Sequence, residues 1–346
     1  MCLPHTEVLY EIYKGDIMDN HSDFTDRKGL LVFFGVVKLF FGAVSFLFFL
    51  LVLFAVLAVK NADIEGAQQL TAGSALPGAF MYLFLAAVFI ILGIGSIKKT
   101  RWARSLTLLF SWFTFIAGIV TTVIMAFFVN SIFNNADPAL SDNPGLLLFV
   151  KLFMFIFLIF FLVIIPGIFI LVYKSRNVIK TVQKYDPKVR WTDRCPLPLL
   201  ALSFIWLYIC ICPLFMISTG FVVPFFGTFL TGLPAAFLLC INSVICIYLA
   251  INIYKLNIRS WYYSLYLCLF WTASFIITLI FNDYMEIYKH MNIPPDQLRA
   301  IENMGLLTNN NILLMSVSSI VLWLVFLFYT KKFFDNTLQY DRNIEH

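Results

Sequence analysis

The sequence predicts an all-α membrane protein whose eight transmembrane helices form two parallel four-helix repeats. Three observations predict it: the composition, eight long apolar runs, and a set of motifs that recur in one order. Of the 346 residues, 61% are hydrophobic and only 12% charged, and Phe alone occurs 39 times. A water-soluble domain carries about 25% charged residues. It could not cover this much apolar surface, whereas lipid can.

A spanning helix needs about 20 mostly apolar residues, because the hydrocarbon layer is about 30 Å thick and a helix rises about 1.5 Å per residue. Segments 30–59, 76–97, 103–129, 145–173, 197–218, 227–254, 261–281 and 311–330 meet this requirement. The runs are continuous and lack the alternation of a lipid-facing barrel strand. A helix also satisfies its own backbone, as lipid demands.

The basic residues orient these runs. Lys14, Arg27 and Lys28, the loops 98–104 and 174–194, Lys255 and Arg259, and Lys331, Lys332 and Arg342 place 19 on one side. The other side has Lys60, Lys289 and Arg299. Lys and Arg concentrate in cytoplasmic loops, so both termini are expected in the cytoplasm. The first 29 residues are polar and mixed in charge, so no secretory signal is expected there, and Met18 offers an alternative start.

The repeat begins with Thr25-Asp26-Arg27 and Thr192-Asp193-Arg194, each before an apolar run. "LPGAF" at 76–80 is followed in kind by "LPAAF" at 233–237. "WARSLTLLFSW" at 102–112 matches "WYYSLYLCLFW" at 261–271. "YKSRNVIKTVQKYD" at 173–186 resembles "YTKKFFDNTLQYD" at 329–341. Four matches in one order predict duplication. Each unit has four spans, so both copies face the same way. The predicted organisation is an N-terminal tail 1–24, a first repeat 25–186, a linker 187–191, a second repeat 192–341 and a C-terminal tail 342–346. In each tripeptide, Thr or Asp is suited to cap the following helix and Arg to mark the cytoplasmic boundary.

Few residues could carry chemistry. No Asp or Glu falls within a span, and His5, His21, His290 and His346 all lie outside the spans. The seven Cys form no Cys-x-x-Cys pair. No catalytic cluster, metal site, cofactor or nucleic-acid partner is therefore expected. Cys195 sits at the cytoplasmic boundary, a position open to palmitoylation. Lys38 is the one deep ionisable residue, about 13 Å into the first span. It could snorkel to the interface, or face the bundle interior and pair with a polar group or an anionic headgroup. The matching position in the second unit is Ile205, so a site at Lys38 would be asymmetric.

The cytoplasmic segment 174–194 faces the anionic leaflet, where each cation can add about 1 kcal/mol of attraction. Lys180, Lys184, Lys188 and Arg190, with Asp193 and Arg194, are the candidate contacts to anionic headgroups or to a membrane-protein partner. The Ser and Thr residues of the spans are expected to knit helices together, at about 0.6 kcal/mol each. Pro166-Gly167 predicts a kink or loosened turn. Trp102 and Trp261 fit an interfacial belt. The segment from Pro294 to Gly305 predicts a short helix.

At "DFTDRKGLLVFFGVVKLFFGA", "RWARSL" and "RWTDRCPLP" the chain resembles uncharacterised bacterial integral membrane proteins with duplicated four-span units. The resemblance covers most of residues 23–341 and implies the bacterial cytoplasmic membrane. Without buried acids, His or a nucleophile cluster, the expected function is a non-enzymatic scaffold or lipid- or partner-contacting protein. Transport of a neutral or lipophilic solute is the alternative.

Overall fold

A computed structural model describes residues 24–61, 67–134, 144–217, 220–291, 298–299 and 308–344. Among these, eight helices are long and apolar enough to cross a membrane. The chain is a multi-pass helical membrane protein. It divides into two compact units, residues 1–129 with 138–197, and residues 130–137 with 198–346. The predicted helix at 294–305 falls almost wholly outside the described residues.

The first unit contains α1 (Lys28–Asn61), α2 (Ala67–Ile97) and α3 (Arg101–Asn134). Its fourth span is built from α4 (Pro144–Ile159), a π turn (Phe160–Ile164) and α5 (Ile165–Lys174). Glycines let α1 and α2 meet closely. A Cβ on Gly35 would lie 3.0 Å from Gly93 O, and one on Gly93 would lie 3.0 Å from Gly35 O. Gly42, seven residues on, faces Ala86 and Ile90 in the same way. Small residues are what close packing in lipid requires, since hydrophobicity gives helices no reason to associate there.

The π turn is the loosened turn expected at Pro166-Gly167. Pro166 has no N–H to give to Leu162 O, so the helix widens by one residue there, and the Ile165 N–H bonds Phe160 O. Gly118 of α3 packs against that Leu162 carbonyl, leaving no room for a side chain.

A short amphipathic helix, α6 (Arg176–Tyr185), follows the fourth span. Ser175 caps it by accepting the Val178 N–H. Its apolar face buries Val178 and Val182 in a cluster with Leu31, Leu108, Phe169, Ile170 and Tyr173. The segment that follows ends in a tight 3₁₀ turn at Trp191–Asp193.

The second unit holds α7 (Leu197–Phe215), α8 (Gly232–Tyr254), α9 (Ile258–Phe281), a short α10 (Met285–His290) and α11 (Asn309–Ile344). Here the structure departs from the expectation that a span begins at 227. The stretch "VVPFFGTFLT" forms a hairpin of β1 (Val222–Phe225) and β2 (Thr228–Thr231), and α8 starts at Gly232. β-Branched and aromatic residues favour strands. The two-residue turn puts both Phe226 (φ 41°) and Gly227 (φ 93°) in the left-handed region, as a twisted hairpin requires. Gly accepts that conformation freely. Phe226 does not, and is held there by α9: its N–H donates to Ser274 Oγ (3.1 Å), while Gly227 N–H donates to Thr278 Oγ1 (3.0 Å).

The span hydroxyls divide by role. Ser203 and Ser243 knit α7 to α8 by donating to Ala250 O and Cys210 O. Ser111, Thr114 and Thr122 bond carbonyls of their own helix four residues back. Trp261, expected in an interfacial belt, is buried instead and donates to Leu327 O at 2.8 Å, tying α9 to α11.

Candidate functional site

Lys38 lies inside the first unit, 1% exposed. Each of the unit's four spans contributes to its surroundings. Nζ donates to Ser96 Oγ of α2 at 2.7 Å and to Thr107 Oγ1 of α3 at 2.8 Å. Tyr173 of α5 donates its hydroxyl to the same Ser96 oxygen at 3.0 Å. The Tyr173 ring centroid lies 4.4 Å from Nζ, and that of Phe169 lies 5.7 Å away.

Of the two alternatives for Lys38, the interior one is therefore found. The rings cover the head group, and the two hydroxyls with the π faces take its three N–H directions. No carboxylate in the spans can neutralise it. A neutral amine can also accept from a hydroxyl, so either protonation state leaves this knot hydrogen-bonded. The sequence offered only faint signals for the partners, each being a single Ser, Thr or Tyr on a different helix.

The other predicted residues gather at the end of the first unit where α6 lies. They meet two acids. Asp26 accepts the Lys28 N–H at 3.0 Å and the Tyr185 hydroxyl at 3.0 Å, with Lys184 Nζ 3.6 Å away. Burial opposes ionisation of Asp26, but these three partners outweigh it and hold the carboxyl below its ordinary value. The neighbouring Arg27 N–H donates to Thr181 Oγ1 of α6 at 3.0 Å.

Asp186, which no local motif in the sequence marks, is the centre of this end. It is buried and receives Arg190 through Nε (3.0 Å) and Nη2 (2.9 Å). Arg101, at the start of α3, donates its N–H to Asp186 Oδ2 (3.1 Å) and its Nε to Asp186 O (2.7 Å). The bonds from Arg190, aided by Arg101, hold the Asp186 carboxyl low against the opposing effect of burial. Asp193 accepts the Arg190 N–H at 3.1 Å and lies 3.7 Å from Arg101 Nη1.

The two tripeptide copies thus differ. Asp26 serves the start of α1, as expected, whereas Asp193 closes the turn at 191–193 and does not cap α7. Lys188 and Arg194 are exposed and Lys180 is half-buried. Cys195 is 4% exposed, and burial pushes its thiol up to about 12. A thiol so covered and so weakly acidic is a poor acceptor for an acyl group.

The second unit contains a cavity of about 340 Å³ among its four spans, lined by apolar and aromatic side chains with Asn242 and Thr272. Asn242 Oδ1 accepts the Trp271 Nε1–H at 2.8 Å. Trp206 also lines the cavity, and its Nε1–H is covered by protein and has no hydrogen-bond partner among the described residues.

No protein-family model matches the chain, and neither a curated protein nor a solved structure matches it. The resemblance to duplicated bacterial membrane proteins rests on the quoted residues alone.

Proposed function

We propose that this chain is a non-enzymatic protein of the bacterial cytoplasmic membrane that contacts anionic headgroups or a membrane-protein partner through the end of its first unit. In this reading both termini face the cytoplasm and the two units are parallel four-span repeats. The observation that carries it is the placement of α6 and residues 186–194. They are bonded down by Asp26, Arg27 and Arg101, while Lys184, Lys188 and Arg194 stay exposed beside the ends of the spans. Lys180 and Arg190 complete the basic face. Fixed cations at the membrane boundary attract anionic lipid at about 1 kcal/mol each.

Native mass spectrometry during stepwise delipidation tests this. The wild type should retain an anionic phospholipid after a zwitterionic one is lost. Replacing Lys180, Lys184, Lys188 and Arg194 with Gln should erase the difference. Equal retention of both lipids by the wild type would sink the reading. A second reading, transport of a neutral or lipophilic solute, is favoured by the cavity in the second unit. Flux of such a solute across proteoliposomes, absent from empty vesicles, is its test.

A further inference from the structure

We propose that the β1–β2 hairpin is a lid on the cavity of the second unit, hinged at Gly220-Phe221 and Gly232 and latched to α9. Small molecules enter the cavity when it lifts. Such a lid serves any occupant, and it depends on neither the headgroup contacts of the first unit nor transport.

The hairpin and the cavity share a wall. The cavity is lined from Trp206, the tenth of 19 residues in α7, to Met216, just past the end of that helix. The hairpin begins six residues beyond Met216, at Val222. Val223 of β1 belongs to one packed cluster with Ala235 and Leu239 of α8, and Met216, Leu230 and Trp271 pack on the same cluster. Met216, Leu239 and Trp271 also line the cavity. Val222 and Val223 are both buried, so this face of the hairpin is turned to protein.

The tip is held by side chains alone. Phe226 N–H donates to Ser274 Oγ and Gly227 N–H to Thr278 Oγ1. Ser274 donates to Pro224 O at 3.1 Å, and Asn282 Nδ2 donates to Gly227 O at 2.7 Å. Among the described residues, every hydrogen bond from 224–228 to the rest of the unit ends on these three side chains. Release leaves the α9 hydroxyls satisfied. Thr278 already donates to Ser274 O of its own helix, and a freed serine hydroxyl on a helix can bond the carbonyl four residues back. The latch can therefore open without breaking a helix.

The base carries the hinges. Gly220 (φ 87°) and Phe221 (φ 40°) lead into β1, and Gly232 (φ 62°) follows β2, so both chain crossings are left-handed. A Cβ on Gly232 would meet nothing within 4 Å, so that crossing stands in open space. Lids turn on a few residues at element ends that absorb a change in φ and ψ. Phe221 is the strained one, and non-glycine residues held in this region gather at switches. Between the hinges, the ladder from Val222↔Thr231 to Phe225↔Thr228 keeps the hairpin one rigid piece.

The wall supplies its own reporters, Cys212 and Cys268. Cys240 is exposed and Cys246 is buried, and neither lines the cavity. The full chain in nanodiscs is treated with N-ethylmaleimide, and each labelled peptide is followed by mass spectrometry. Phe226→Cys with Ser274→Cys places two thiols at the latch. Its disulfide should slow labelling of Cys212 and Cys268 by about tenfold or more against the same variant reduced, with Cys240 unchanged. Ser274→Ala with Thr278→Val should speed it by about tenfold over the wild type, with Cys246 still unlabelled. Equal labelling of the wall thiols with the hairpin locked and unlocked overturns the proposal, because entry then lies elsewhere, such as sideways from lipid. An acceleration that reaches Cys246 as well reports unfolding and also overturns it. Should the unlatched variant not fold, the locked pair decides.

Discussion

Lys38 Nζ lies 2.8 Å from Thr107 Oγ1, so a lysine on the first span is satisfied by a hydroxyl on the third, 69 residues away. The pair sits in an apolar surround where an unmet donor cannot turn to water. Thr107→Val and Ser96→Ala should each destabilise the protein by about 1–3 kcal/mol, the cost of leaving a buried polar group short of a partner. Lys38→Met removes the donor at similar volume and should be close to neutral. The double variant Lys38→Met with Thr107→Val should then melt above Thr107→Val alone. Thermal unfolding in detergent measures this, and a Thr107→Val melt equal to wild type would rule out the buried pair.

Asp186 should make stability depend on acid pH. Its folded carboxyl titrates below its unfolded value because Arg190 and Arg101 bind the charged form. That contribution is complete above the ordinary carboxylate value of about 3.9 and is lost as pH falls through the lower folded value. Asp186→Asn should lower the melting temperature at pH 7 and flatten its decline between about pH 5 and pH 2. An unchanged slope would mean that other acids control the transition.

The hairpin turn should loosen without its α9 partners. Ser274 both accepts the Phe226 N–H and donates to Pro224 O at 3.1 Å. Ser274→Ala removes both bonds from a residue already held in the left-handed region. Amide exchange at Phe226 and Gly227 should speed up by about one order of magnitude or more, matching a loss of about 1–2 kcal/mol locally. Exchange in the membrane-spanning part of α8 should stay as in the wild type.

Cys195 should resist thiol reagents in the folded protein. Its thiol is buried and held almost fully protonated at neutral pH. Maleimide labelling followed by peptide mass analysis should leave Cys195 unmodified at pH 7 until the protein is denatured. Rapid labelling in the folded state would contradict the packing of residues 194–197.

The spans are legible in the sequence because lipid imposes a crude requirement, a long apolar run, that any sequence must meet openly. The hairpin is hidden for the same reason. "VVPFFGTFLT" is as apolar as the helix beside it, and only the Gly227 turn and the α9 hydroxyls distinguish the two. Gly35, Gly42 and Gly93 were visible as residues, but their pairing across two helices was not. The Lys38 knot was half legible. The depth of the lysine could be counted, whereas its fate depended on Ser96, Thr107 and Tyr173 arriving from three other spans. Asp186 was hidden because one of its arginines is 85 residues away.

The bonds that hold α6 down also set an order of assembly during synthesis. Asp26 leaves the ribosome early, yet its partner Tyr185 follows 159 residues later, after all four spans of the first unit. Until then the start of α1 lacks the Tyr185 and Thr181 partners that hold it. Long-separated contacts form late because the chain between them must first be in place. The latch at Asp26, Arg27 and Arg101 thus closes only on a finished first unit, and a chain truncated before residue 186 would reach the membrane with that end unsealed.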